Sequence, residues 1–113
     1  MARKRRRPAY SLAEAKELAR KNALSINSRA RRFIVNHTDW TSAVMAVREL
    51  IESTTEADFF ESVELDQLEE LRGTWADVYK VDFDGERWYL KFFIEEGHLR
   101  LGVLSANYDG YLH

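Results

Sequence analysis

The sequence predicts an α+β domain in which N-terminal helices pack on one face of a small antiparallel β-sheet, the C-terminal part of which is a three-stranded meander. Three observations carry that expectation. Residues 75–104 fall into three runs rich in β-branched and aromatic residues, parted by turn signals around Asp84-Gly85 and Glu96-Gly97. Polarity alternates within each run, the pattern of a sheet that is dry on one side only. Upstream, between Ser11 and Glu52, apolar residues recur at helical spacing instead.

Residues 1–9 end near the only proline, Pro8, lack apolar periodicity and read as a flexible basic arm; residues 10–113 read as one domain. Ser11 followed by Glu14 forms a capping box, and Leu12, Ala15, Leu18 and Ala19 make the stripe of a first helix reaching about Asn22. Residues 25–28 break that pattern. A second helix is expected from about Arg29 to Val35, with Ala30, Phe33 and Ile34 inward and Arg29, Arg31 and Arg32 outward. The third, from about Trp40 to Glu52, carries Ala43, Val44, Val47, Leu50 and Ile51 on one stripe and is the slab expected across the dry face. Thr55 with Asp58 is another capping box and predicts a short fourth helix anchored by Phe59 and Phe60. Residues 63–72, acidic and punctuated by Leu65, Leu68 and Leu71, fit either a helical turn or an edge strand.

A type I′ turn at Asp84-Gly85 sets Val81 opposite Trp88, Lys80 opposite Tyr89, Tyr79 opposite Leu90 and Val78 opposite Lys91. A similar loop at Glu96-Gly97 sets Ile94 opposite Leu99, Phe93 opposite Arg100 and Phe92 opposite Leu101. The dry face then holds Trp75, Tyr79, Val81, Trp88, Leu90, Phe92, Ile94, Leu99, Leu101 and Val103. The other holds Lys80, Arg87, Tyr89, Lys91, His98 and Arg100, with Ala76, Val78, Leu104 and an exposed Phe93 among them. A slip of one residue would bury the cations, which argues for this register.

The chain has no cysteine, so disulfides and thiolate zinc sites are excluded. Its longest apolar runs fall far short of a membrane span, and a cytoplasmic protein without membrane contact is expected. Charge is lopsided: eleven of the seventeen Lys and Arg fall in the first 32 residues beside only Glu14 and Glu17. Such asymmetry points a basic arm or face at polyanions, although a solvated tail pairing with the protein's own acids has the same composition. No phosphate-binding loop, dinucleotide fingerprint or serine-nucleophile motif is present, and His37, His98 and His113 are scattered, so neither metal nor other cofactor is expected.

What remains is the cationic sheet face. Cations neutralise phosphates and aromatic rings stack on unpaired bases, a combination that suits RNA. RNA cleavage through the neighbouring 2′-hydroxyl needs a base, an acid and positive charge on the developing phosphorane. Tyr89, Lys91, His98 and Arg100 can fill those catalytic roles, and Lys80, Arg87, Arg29, Arg31 and Arg32 can bind the backbone. Ordinary solubilising residues on a wet sheet face give the same pattern. A DNA-reading helix pair formed by the second and third helices is the weaker alternative, because Trp40, Val44 and Val47 read as core.

From about Pro8 to Gly110 the sequence resembles the MqsR family of toxins from bacterial toxin–antitoxin systems. The resemblance rests on residues 55–62 (Thr-Glu-Ala-Asp-Phe-Phe-Glu-Ser, against the family's Asp-Phe-Tyr-Lys-Ser), on residues 75–79 (Trp-Ala-Asp-Val-Tyr, against Trp-Gln-Asp-Val-Tyr), on Tyr89-Leu90-Lys91, and on Leu104-Ser105-Ala106-Asn107 with Asp109-Gly110. It implies a RelE-like ribonuclease fold, cleavage of messenger RNA that inhibits growth, a cognate antitoxin as partner, and a catalytic role for Tyr89. Three positions depart from the pattern: Glu61 stands for a Lys, Ala76 for a Gln and Asn107 for a Lys. A non-catalytic member that binds RNA or a protein therefore stands beside the ribonuclease reading.

Overall fold

The computed structural model describes residues 3–66, 69–95, 97 and 99–111. In chain order it contains β1 (Lys4–Arg5), α1 (Leu12–Arg20), β2 (Leu24–Ile26), α2 (Ser28–His37), α3 (Ala43–Ser53), a 3₁₀ turn (Glu56–Asp58), β3 (Phe59–Glu64), a second 3₁₀ turn (Glu69–Leu71), β4 (Trp75–Phe83), β5 (Glu86–Glu95) and β6 (Arg100–Tyr108). The strands form one six-stranded sheet in the order β1-β3-β4-β5-β6-β2, antiparallel except for the β2–β6 pair. The architecture is α+β with helices against one face of a mostly antiparallel sheet, as expected.

Local chemistry explains each helix. Ser11 Oγ accepts the Glu14 amide at 3.1 Å and starts α1; Asn22, at φ 59°, ends that segment and turns the chain into β2. Asn27 serves two elements at once. Its side chain accepts the Arg29 and Ala30 amides to cap α2, while its own N–H donates to Val103 of β6. Ser42 caps α3, so Trp40 lies before that helix, its indole donating to Asp84 and stacking near Phe83. The Thr55–Asp58 capping box forms, but it holds only a 3₁₀ turn. Phe59 and Phe60 enter β3 instead of anchoring a fourth helix, because Phe59 and Val63 pair along β4, with Phe60 at a register shift between Phe59 and Glu61.

The core lies between the helical stripes and one sheet face: Leu18, Phe33, Ile34, Val47, Leu50 and Ile51 meet Tyr79, Val81, Trp88, Leu90, Phe92, Leu101 and Val103. Asp84 and Gly85, both at positive φ, make the two-residue turn, and the β4–β5 register is the expected one. The β5–β6 register is not. Glu95 pairs with Arg100, Ile94 with Leu101 and Phe93 with Gly102, because the connection is a four-residue turn with Gly97 and Leu99 at positive φ. An offset of two residues keeps Leu101 and Val103 inside but leaves Leu99 65% exposed. A bulge then intervenes, so that Lys91 pairs with Ser105 and Tyr89 with Asn107. One extra residue inverts the alternation. Beyond it Ala106 and Tyr108 turn to the core, and Ser105 and Asn107 share the face of Lys91 and Tyr89.

The face turned away from the helices is drier than expected. Ala76 and Val78 are fully buried, and Phe93, expected as an exposed stacking ring, is 7% exposed and lies over Gly102. The basic start also joins the fold. Lys4 and Arg5 pair with Val63 and Ser62, and the buried carboxylate of Asp77 accepts the amides of Ala9 and Tyr10 at 2.9–3.0 Å.

Candidate functional site

A shallow basin of about 370 Å³ opens on this second face. Tyr89 and Lys91 of β5 line it, two residues apart on one strand and so on the same side, about 7 Å apart along the backbone. Glu61 from β3 and Lys4 from β1 border it on one flank; Ser105 from β6, with Asn27 and Arg29 at the start of α2, border it on the other. Asn27 and Ser105 come to the rim through the cap and the bulge described above.

The electrostatics are set mainly by burial. Tyr89 and Lys91 are both half-buried. Burial, then the carboxylates of Glu61 and Asp109, push the Tyr89 phenol above its ordinary value. Burial pulls the Lys91 ammonium below its ordinary value, with Glu61 opposing. The phenol is thereby kept protonated and the amine is brought nearer to releasing its proton. Glu61 itself lies 3.6 Å from the Lys4 ammonium.

The cations predicted from sequence divide into separate groups. Lys80 pairs across from Tyr89, but its ammonium sits 3.9 Å from the Phe60 ring centroid and 3.6 Å from Asp109. Arg87 is likewise engaged, by Asp82 at 3.1 Å and Asp109 at 4.0 Å. Arg100 is not brought to Tyr89: it pairs with Glu95, six residues along β5, about 20 Å away at strand rise. The four-residue turn adds two residues to the separation, moving Arg100 from the expected place opposite Phe93 to one opposite Glu95. His98 lies outside the described residues. Arg29 reaches the basin rim, Arg31 Nε donates to the Ile26 carbonyl at 3.3 Å, and Arg32 lines a neighbouring cleft. Sequence reasoning missed Lys4, Asn27 and Ser105 as site residues. Their placement depends on a two-residue strand, a helix cap and a bulge, none of which has a periodic signature. Among the described residues no three His, Asp or Glu side chains converge as a metal site would require, and no helix is long and apolar enough to cross a membrane.

The fold and basin define a small α+β protein with a phenol and an amine set among charged groups on the open side of its sheet. Residues 7–106 match the model of the MqsR toxin family, described as "Motility quorum-sensing regulator, toxin of MqsA", and the chain belongs to that family. It is accordingly a toxin of a toxin–antitoxin system, with an antitoxin as its partner. A comparison with curated proteins gives no match. The positions at which the sequence departs from the family pattern lie around Tyr89 and Lys91. Glu61 lines the basin, Asn107 pairs with Tyr89, and Ala76 is buried in β4 two residues from Val78, the partner of Lys91.

Proposed function

We propose that this toxin is a metal-independent endoribonuclease that cuts single-stranded messenger RNA in the cytoplasm and so inhibits growth. The observation that carries the reading is the adjacency of Tyr89 and Lys91 in the basin, with burial pushing the phenol up and the amine down. In the cleavage step the Lys91 amine takes the proton of a ribose 2′-hydroxyl as its oxygen attacks phosphorus. The bond from phosphorus to the 5′-oxygen breaks, and that oxygen takes the Tyr89 phenolic proton. The products are a 2′,3′-cyclic phosphate and a 5′-hydroxyl, and Arg29 at the rim offers positive charge to the phosphorane.

A labelled single-stranded RNA incubated with the purified protein tests this. Cyclic-phosphate ends should appear, and Tyr89→Phe and Lys91→Ala should each slow cleavage about 100-fold, whereas Arg100→Ala should leave it unchanged. Uncut RNA, or cutting indifferent to both substitutions in the basin, rejects the reading. Glu61 favours a second reading, an RNA-binding member that does not cut, because its carboxylate raises the pKa of Tyr89 and Lys91 and opposes an incoming phosphate. Retained RNA binding without cyclic-phosphate ends identifies that case.

A further inference from the structure

A second cleft, of about 280 Å³, adjoins the first and shares Arg29 with it. Its walls are Arg29, Arg32, Phe33, Asn36 and His37 of α2, with Tyr111 closing the C-terminal end. Residues 29, 32, 33, 36 and 37 follow helical spacing, so they form one stripe about 12 Å long that starts at the basin rim. The far end of the stripe is aromatic. His37 stacks on Phe33 with ring centroids 4.6 Å apart, Tyr111 meets both rings edge-on at 4.8 and 5.1 Å, and its hydroxyl lies 3.3 Å from His37 Nε2.

The two arginines of this stripe are not spent on the protein's own acids. Arg3, Lys4, Arg20, Lys80 and Arg87 are paired with the protein's own carboxylates. Arg29 and Arg32 have no carboxylate partner among the described residues, and α2 contains no acid. Unneutralised guanidinium groups followed by exposed rings are the equipment of a single-strand nucleic-acid track: cations on the backbone, ring faces for a base. An acidic protein segment could be held by the arginines too, but a nucleotide brings both a phosphate for a guanidinium and a flat base for a ring.

We propose that the Arg29–Tyr111 cleft is a subsite for a nucleotide next to the scissile one, its phosphate held by Arg32, about one helical turn on from Arg29, and its base against His37 and Tyr111. This rests on the ribonuclease reading for the position of the scissile nucleotide, so the probe is chosen to be uncleavable. A fluorescein-labelled mixed-sequence 2′-O-methyl hexanucleotide, which lacks the attacking hydroxyl, is titrated against the full chain by anisotropy. Arg32→Gln and Tyr111→Leu should each weaken binding about ten-fold, and Arg32→Gln should flatten the slope of log affinity against log salt by about 0.7. Lys21→Gln, outside the track, should bind as the wild type does. Arg32 is exposed, so its variant decides the question even where Tyr111→Leu disturbs packing on Phe33. Unchanged affinity in both variants overturns the subsite, as does intact RNA affinity with loss of antitoxin binding, which would assign the surface to a protein. Binding that depends on Arg32 in a wild type that cuts no RNA leaves the subsite standing and removes the cleavage reading alone.

Discussion

Glu61 is the side chain through which one residue reaches both groups of the basin. Its carboxylate raises the Lys91 ammonium and the Tyr89 phenol alike, in the first case against burial and in the second alongside it. Glu61→Gln removes that contribution, so Lys91 should drop further below its ordinary value and lose its proton at lower pH. The rising limb of the pH–rate profile for RNA cleavage should then move to lower pH, with faster cutting near neutrality. An unmoved limb argues that Lys91 is not the base. Asp77 works on stability instead. Its buried carboxylate is the acceptor for two backbone amides at the junction between the basic start and α1. Asp77→Ala leaves Ala9 and Tyr10 without that acceptor and should cost about 3 kcal/mol in denaturant unfolding. A loss well under 1 kcal/mol would show that water or a shift of the backbone replaces it.

At the scale of elements, β6 decides where the site is. The β4–β5 register was legible because a two-residue Asp-Gly turn has one geometry and the alternation on both strands agrees with it. The β5–β6 register was not, since the sequence around Gly97 does not distinguish a two-residue from a four-residue turn. Nor does the run from Leu101 to Ala106 mark where a bulge falls. The consequence for the site was uneven. Tyr89 and Lys91 lie on the sheet face where the register put them, Arg100 lies two residues, about 7 Å, further from Tyr89 than expected, and Ser105 was missed. Gly102 holds this arrangement in a way that can be tested. A Cβ there would sit 2.5 Å from Phe93 Cε1, so Gly102→Ala forces the ring off the sheet. Overpacking of this kind should destabilise by about 1–3 kcal/mol, and Phe93→Leu in the same chain should restore most of the loss. If Gly102→Ala melts at the wild-type temperature, the ring is free to move.

Across the whole molecule, the lopsided charge seen in the sequence resolves into two different fates. Its composition was legible, but which cations stay available was not, because ion pairing between residues sixty positions apart leaves no local signal. The first basic run is largely spent within the fold: Arg3 on Glu64, Lys4 on Glu61, Arg5 over the Trp75 ring at 4.1 Å. Glu64 and Glu52 are both held below the ordinary carboxylate value, chiefly by hydrogen bonds from Arg3 and Arg20. A carboxylate with a depressed folded pKa contributes stability that is present above its unfolded value and is lost as pH falls through the folded one. The melting temperature should therefore decline as pH is lowered below about 4.5. Glu52 is exposed to solvent and Glu64 is only partly covered, so the decline should be shallow at low ionic strength and shallower still in about 0.5 M salt, where the Debye length is shorter than the reach of surface charges. Replacing both Glu52 and Glu64 with Gln removes these two titrations and should flatten the acid limb further. An acid limb unchanged in that double variant would place the responsible carboxylates elsewhere.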